Sequence, residues 1–152
     1  MSVDALQVAI KAVIRASEII LETFGNPEGI EYKSRVDVVT DTDKRCEEEI
    51  VKILRSETPD FGIIAEEGTN FPGEKVWIVD PLDGTTEFIE VVAHFVVSIA
   101  LVESGQPTIG VLYNPVTGET FTAAQDEGAC LNGEPIRCAT KENVSEMVIL
   151  NS

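Results

Sequence analysis

The chain has 152 residues, 43% of them hydrophobic and 25% charged, which is an ordinary composition for one globular domain with a sizeable core. Its 27 acidic residues outnumber 11 basic ones and give a formal net charge of −16 at pH 7. This charge argues against nucleic-acid polymers and anionic membrane surfaces as partners. We expect most of the carboxylates to be solvated and some to be neutralised by bound cations.

The first residues contain no basic segment followed by a long apolar run, and no apolar run approaches 18 residues. The three cysteines, Cys46, Cys130 and Cys138, form no C-x-x-C pair, so we expect reduced thiols in a cytoplasmic protein. The single histidine, His94, disfavours a His-rich metal site. A serine-hydrolase triad is also disfavoured, because the chain has no G-x-S-x-G motif.

Apolar residues at spacings of three and four predict two amphipathic helices near the N-terminus. The first covers residues 3–24, and the positions at this spacing are Val3, Leu6, Ile10, Val13, Ile14, Ser17, Ile20, Leu21 and Phe24. The second runs from about Thr42 to Ser56, with Asp41 or Thr42 as its N-cap. Its buried stripe is predicted to contain Cys46, Ile50, Ile53 and Leu54.

After residue 60 the apolar pattern changes to that of strands. The runs "GIIAEE" (62–67) and "KVWIVD" (75–80) predict interior strands, and residues 95–104 predict a longer one. Turn signals then alternate with short apolar runs as far as "PIRC" (135–138). We therefore predict an α+β fold, in which an antiparallel β-sheet meander is packed by two N-terminal helices.

Acidic residues stand at three places where a helix or strand is expected to begin or end. These are Asp41 and Asp43, Glu66 and Glu67, and Asp80 and Asp83. Each group alone is typical of a helix cap, a solvated loop or a polar turn, whereas the joint pattern is less expected by chance. Carboxylates brought together repel unless they are protonated or bridged by a metal ion. An oxygen-only set favours Mg²⁺, Ca²⁺ or Mn²⁺.

The stretch "DPLDGT" (80–85) can be analysed further. Pro81 fixes φ, so the chain is predicted to leave the strand in a tight turn, with Asp80 and Asp83 on one side of it. The carbonyl of Leu82 would then offer a third oxygen.

The residues after these aspartates favour an anion. Gly84 permits a positive φ or a close backbone approach. Thr85 or Thr86 is predicted to start a short helix, whose free N–H groups and dipole would favour a phosphate. The sequence thus predicts a metal site next to a phosphate site.

A phosphatase of the haloacid-dehalogenase type does not fit this sequence. That type needs an apolar strand followed by D-x-D-x-[TV]. Arg45 stands at the Thr or Val position after Asp41 and Asp43, and the aspartates of "DPLDGT" are three residues apart.

The stretches "VDVVTDTD", "EEG", "WIVDPLDGTTEF" and the run from "HFVVSIALVESG" to "GACLNGEPI" resemble the first half of the inositol monophosphatase superfamily. The resemblance implies Mg²⁺-dependent, lithium-sensitive phosphomonoesterases, with Mn²⁺ as a substitute ion. It implies the first half of an α-β-α-β-α layered fold. Residues 1–152 would form the N-terminal metal-binding domain, and the C-terminal domain would be absent, because no W-D-x-x-A motif occurs.

The resemblance also implies roles for individual residues. The metal ligands would be Glu66, Asp80, the Leu82 carbonyl and Asp83. Gly84 and Thr85 would present backbone N–H groups to phosphate. The catalytic residues would be Thr85, Asp43 and Glu66, with the Thr85 hydroxyl and Asp43 orienting and helping to deprotonate the attacking water.

Three hypotheses about function follow. The first is hydrolysis of inositol 1-phosphate or a related sugar phosphate by metal-activated water, with 3′-phosphoadenosine 5′-phosphate as the alternative substrate of a 3′(2′),5′-bisphosphate nucleotidase. The partner would be a small phosphorylated polyol, sugar or nucleotide, and the family resemblance also implies a homodimer. The second hypothesis is a truncated, non-catalytic domain that binds divalent metal ions. The third is an acidic scaffold in which "DPLDGT" is only a turn.

Overall fold

The computed structural model describes residues 4–32 and 38–140. Its helices are α1 (Ala5–Thr23), α2 (Asp41–Glu57) and α3 (Thr85–Ile89). Its strands are β1 (Glu31–Tyr32), β2 (Val38–Val39), β3 (Gly62–Ala65), β4 (Asn70–Phe71), β5 (Lys75–Asp83), β6 (Val96–Glu103), β7 (Gln106–Tyr113), β8 (Thr120–Ala124), β9 (Gly128–Leu131) and β10 (Glu134–Ile136). None of the described helices combines the length and the apolar content that a membrane-spanning helix needs.

Helix α2 begins earlier than predicted, because its N-cap is Thr40 rather than Asp41 or Thr42. Thr40 has extended backbone angles, and its hydroxyl accepts from the Thr42 N–H at 3.2 Å. The Asp43 carboxylate in turn accepts from the Thr40 N–H at 2.8 Å, which completes a capping box. Asp41 and Thr42 already lie in the first turn of the helix.

The large sheet has eight strands in the order β10-β9-β8-β7-β6-β5-β3-β4. From β5 to β10 all pairings are antiparallel, as predicted for a meander. The pairing of β3 with β5 is parallel, because the short unpredicted strand β4 returns the chain before β5 begins. The carboxyl ends of β3 and β5 therefore meet at one edge of the sheet.

The two long helices cover one face of this sheet. Trp77 and Val79 of β5 and Ile99 of β6 are buried against them, and Trp77 donates its indole N–H to the Thr58 hydroxyl at 2.9 Å. The predicted stripe of α2 is buried as expected. The prediction for α1 was partly wrong: Ile14 and Leu21 are nearly half exposed. Small side chains instead fill much of its buried face, which consists of Val8, Ala9, Ala12, Val13, Ala16, Ser17 and Ile20.

The opposite face of the sheet is apolar and partly bare in the described chain. Ile64, Ile78, Leu112 and Phe121 are each about 40% exposed on it. A shallow groove of about 250 Å³ runs over β6 to β10 between such side chains. Ile64 on β3 and Phe121 on β8, which lie four strands apart in the sheet, are thus exposed on the same apolar face.

Candidate metal centre

A bulge in β5 places Asp80 and Asp83 on the same side of the sheet. Asp80 pairs with Ser98 and Asp83 with Val96, so three steps along β5 match two steps along β6. Side chains three residues apart on a regular strand point to opposite faces, and the extra residue of the bulge cancels that difference. The chain does not leave the strand at Pro81, as the sequence had suggested, because β5 continues to Asp83.

Glu66 reaches the same site from the end of β3. It follows Ala65 directly, and its N–H donates to the Val79 carbonyl at 3.1 Å, which holds it beside β5. Its carboxyl lies close enough to that of Asp80 to change the acidity of Asp80. One cavity of about 260 Å³ is lined by Glu66, Asp80, Leu82, Asp83, Gly84, Thr85, Thr86, Glu87 and Val38.

These neighbours change the acidity of Asp80. Burial raises the pKa of Asp80 to about 7, and the interaction with the Glu66 carboxyl and the charge of Asp83 act in the same direction. The Leu82 N–H, which donates to Asp80 Oδ1 at 3.1 Å, opposes them. Asp80 therefore holds a proton at pH values where an isolated aspartate would not.

Across residues 4–32 and 38–140, no three His, Cys, Asp or Glu side chains are drawn together closely enough to hold a metal ion by themselves. The predicted ligand set includes the Leu82 carbonyl as its fourth oxygen. Two of its carboxylates, those of Glu66 and Asp83, belong to exposed side chains, and their negative charges repel each other. The donors nevertheless suit a hard divalent cation: four carboxylates, those of the predicted set and of Glu87, border the cavity together with Leu82, and neither histidine nor cysteine does in the described part of the chain. Such a cation would take the place of the proton that Asp80 holds.

Thr85 connects this cavity to Asp43. Its hydroxyl oxygen lies 2.9 Å from Asp43 Oδ1 and 3.0 Å from the Leu82 carbonyl oxygen. A hydroxyl has one proton, so Thr85 donates to one of these acceptors at a time. Asp43 is 2% exposed and is also held by Thr40. If the Leu82 carbonyl bound a cation, the Thr85 proton would be directed to Asp43.

Gly84 lies at the point where β5 passes into α3. Its φ is +99°, and a Cβ there would lie 2.9 Å from the His94 carbonyl oxygen and from Phe95 Cβ. Glycine is therefore required both for the backbone angle and for the close approach of the two segments. Helix α3 has only five residues, so an anion at its start would depend on individual N–H groups rather than on a large helix dipole.

The remaining acidic residues of the sequence pattern lie elsewhere. Asp41 packs against Gly29, and the Glu67 side chain does not border the cavity. The sequence analysis missed Thr40 and Glu47, two buried polar residues of the α2 region that bond to site segments. The T-x-x-D spacing of 40–43 is a capping-box signal that could have identified Thr40.

The inositol monophosphatase family model matches residues 3–152 of the chain. An inositol monophosphatase of Mesembryanthemum crystallinum is 40% identical over 97% of this chain and 57% of its own length. The Nus factor SuhB of Xylella fastidiosa is 38% identical over 95% of this chain and 54% of its own.

Solved structures agree with these sequence matches. An IMPase of Thermotoga maritima superposes with a TM-score of 0.87 at 36% identity, over 90% of this chain and 54% of that one. The extragenic suppressor protein suhB of Bartonella henselae gives 0.86 at 34% identity, over 90% and 55%. The chain thus spans a little over half the length of these relatives. The sequence resemblance is confirmed, and the chain belongs to the inositol monophosphatase family.

Proposed function

We propose that this chain carries the metal-binding half of a Mg²⁺-dependent phosphatase for small phosphate monoesters, with inositol 1-phosphate or a related sugar phosphate as substrate. The observation that carries the proposal is the shared cavity of Glu66, Asp80, the Leu82 carbonyl and Asp83, with the Thr85–Asp43 contact beside it. These residues come from three separate segments of the chain. Family membership supports the same activity.

The site residues would have different roles in this reaction. Glu66, Asp80, Asp83 and the Leu82 carbonyl would hold Mg²⁺, with Mn²⁺ as a substitute. When bound, the ion supplies Lewis acidity and offsets the negative charge of the carboxylates and the phosphoryl group.

The nucleophile would be a water beside Thr85. As the Thr85 hydroxyl donates to Asp43, its oxygen is free to accept a hydrogen bond from that water. Asp43 is fixed by its bond to the Thr40 N–H, so the acceptor of the Thr85 proton does not move. The backbone N–H groups of Gly84 and Thr85 would bind phosphate oxygens.

An adjoining cleft favours a polyol over a bisphosphate substrate. It has a volume of about 430 Å³ and meets the first cavity at Asp83, Gly84 and Glu87. Its other polar residues among those the structure describes are His94, Asn114 and Glu119, and none of the described lining residues is a lysine or arginine. Carboxylates accept hydrogen bonds from hydroxyl groups, whereas a second phosphate would be repelled by them.

We further propose that a second half of the fold packs on the bare apolar face of the sheet. Two observations support this proposal. Relatives are nearly twice as long as this chain. The exposed apolar side chains on this face form a patch of the kind that commonly marks an interface. Lithium sensitivity and a homodimer stay predictions from the family resemblance, and a cytoplasmic location stays a prediction from the cysteine pattern.

Phosphate release by the complete natural polypeptide, measured with Mg²⁺, tests the proposal. We expect turnover of inositol 1-phosphate to exceed that of 3′-phosphoadenosine 5′-phosphate. Thr85→Val should lower kcat by about 10²- to 10⁴-fold. Asp60→Asn, at an exposed aspartate outside both cavities, is the control.

Two results would contradict this assignment. Faster turnover of the nucleotide would favour the bisphosphate nucleotidase. Mg²⁺ binding without release of phosphate from any of these substrates would favour the non-catalytic domain.

A further inference from the structure

Glu47 is a buried carboxylate that bonds to the backbone of the loop carrying Glu66. It lies on α2 and is 5% exposed. Its Oε2 accepts from the Glu67 N–H at 2.6 Å, and its Oε1 accepts from the Thr69 N–H at 3.0 Å. Both carboxylate oxygens are therefore used by one loop, which is 20 residues away in sequence.

Backbone hydrogen bonds also hold the loop 66–69. The Glu66 N–H donates to the Val79 carbonyl at 3.1 Å, the Ala65 N–H donates to the Thr69 carbonyl at 2.9 Å, and the Gly68 N–H donates to the Ala65 carbonyl at 3.3 Å. Glu66 and Gly68 are exposed, and no side chain of the loop belongs to the core. The two bonds from Glu47 tie this exposed loop to a buried helix, immediately after the residue that faces Asp80.

The buried carboxylate of Glu47 requires polar partners that compensate its charge. A buried charge is costly unless hydrogen bonds or an opposite charge compensate it. In the described part of the chain, no lysine or arginine pairs with Glu47, so its two loop N–H groups provide the compensation. Such charge-assisted bonds are short and strongly directional.

One face of helix α2 thus contacts both segments that form the site. Glu47 lies one turn after Asp43, and residues four apart share a helix face. Asp43 accepts from the Thr85 hydroxyl, and Glu47 accepts from the loop of Glu66. The relative position of the two site segments is therefore set by a single rigid element.

We propose that Glu47 is a positioning residue for Glu66: its contacts with the Glu67 and Thr69 N–H groups hold the Glu66 carboxylate where it faces Asp80 across the cation site. This inference rests on the proposed function, because Glu66 matters here as a metal ligand. Glu47 itself does not border the cavity. Loss of its bonds would loosen a ligand without removing it.

Glu47→Gln tests the inference, because the amide keeps the shape of the side chain but has only one acceptor oxygen for two N–H groups. Glu48→Gln is the control, since Glu48 is the adjacent exposed residue and the change in charge is the same. Amide hydrogen exchange at residues 66–69 is measured without metal, and the Mg²⁺ Kd is measured by calorimetry on the complete polypeptide. Circular dichroism of each variant reports whether it is folded.

We expect exchange at Glu67 and Thr69 to become faster in Glu47→Gln, and the Mg²⁺ Kd to rise by about 10- to 100-fold, as for other residues that orient metal ligands. Glu48→Gln should match the wild type in both. Glu47→Asp keeps the charge but moves the carboxylate away from the loop, so it should also weaken Mg²⁺ binding.

Two results would overturn the inference alone: an unchanged Mg²⁺ Kd in Glu47→Gln, or Mg²⁺ binding by Glu47→Asp as tight as that of the wild type. If Glu47→Gln does not fold, Glu47→Asp decides the question. Absence of Mg²⁺ binding by the wild type would instead overturn the proposed function, and with it the role of Glu66 on which the inference rests.

Discussion

Replacement of Asp80 by asparagine should stabilise the metal-free chain at neutral pH while it abolishes binding of Mg²⁺. Burial, Glu66 and Asp83 raise the pKa of Asp80 from an ordinary value of 3.8 to about 7. The folded state thus binds this proton more tightly than the unfolded state does. The stabilisation from Asp80 is complete below pH 3.8 and is lost as the pH rises to about 7.

The size of this effect follows from the difference between the two pKa values. One pKa unit corresponds to about 1.4 kcal/mol, so the shift from 3.8 to about 7 sets an upper limit of about 4 kcal/mol. Asp80 is only partly buried, and solvent screens its interactions with the exposed Glu66 and Asp83. We therefore expect a loss of about 1–2 kcal/mol between pH 4 and pH 8, which Asp80→Asn should not show.

Urea unfolding followed by the fluorescence of Trp77, the only tryptophan, measures this difference. The free energy of unfolding is compared at several pH values in the presence of a chelator. Asp60→Asn controls for the removal of one charge from a chain of net charge −16. Asparagine at position 80 can still accept from the Leu82 N–H, so the bulge is retained.

The reasoning is refuted if Asp80→Asn is less stable than the wild type at pH 8 without metal, or if both lose the same free energy between pH 4 and pH 8. Saturating Mg²⁺ should raise the stability of the wild type by RT ln(1 + [Mg²⁺]/Kd) and leave that of Asp80→Asn unchanged. Equal stabilisation of both proteins would show that Asp80 is not a ligand.

Three further changes have clear expected outcomes. Gly84→Ala should destabilise the chain by at least about 1–2 kcal/mol in urea unfolding, because its φ is positive and the new Cβ meets backbone; normal stability would contradict the observed approach. Thr58→Val should cost about 1–3 kcal/mol, since the buried Trp77 N–H loses its acceptor, whereas Thr58→Ser should match the wild type. Burial raises the pKa of the Cys46 thiol to about 12. A thiol reagent at pH 8 should therefore label the exposed Cys138 rapidly and Cys46 only after unfolding. Rapid labelling of Cys46 in the folded chain would contradict this expectation.

Local sequence signals determined much of the fold. The spacing of apolar residues gave both helices to within a few residues, and the change of period marked the strands from β5 to β10. The fold class followed from this order of elements. The exceptions have local causes: alanines rather than Ile14 and Leu21 fill much of the buried face of α1, and Thr40 caps α2.

The sequence by itself also drew attention to three acidic pairs at the ends of predicted elements, and the family resemblance chose Glu66, Asp80 and Asp83 among them as ligands. It could not show how they meet. The parallel pairing of β3 with β5 brings Glu66 to Asp80, and the bulge turns Asp83 to the same side. The parallel pairing and the bulge both depend on how separate strands pair with each other, which a local sequence pattern does not encode. Glu47 was missed for the same reason: a glutamate on a helix resembles any solvated residue until the fold places a loop's N–H groups against it.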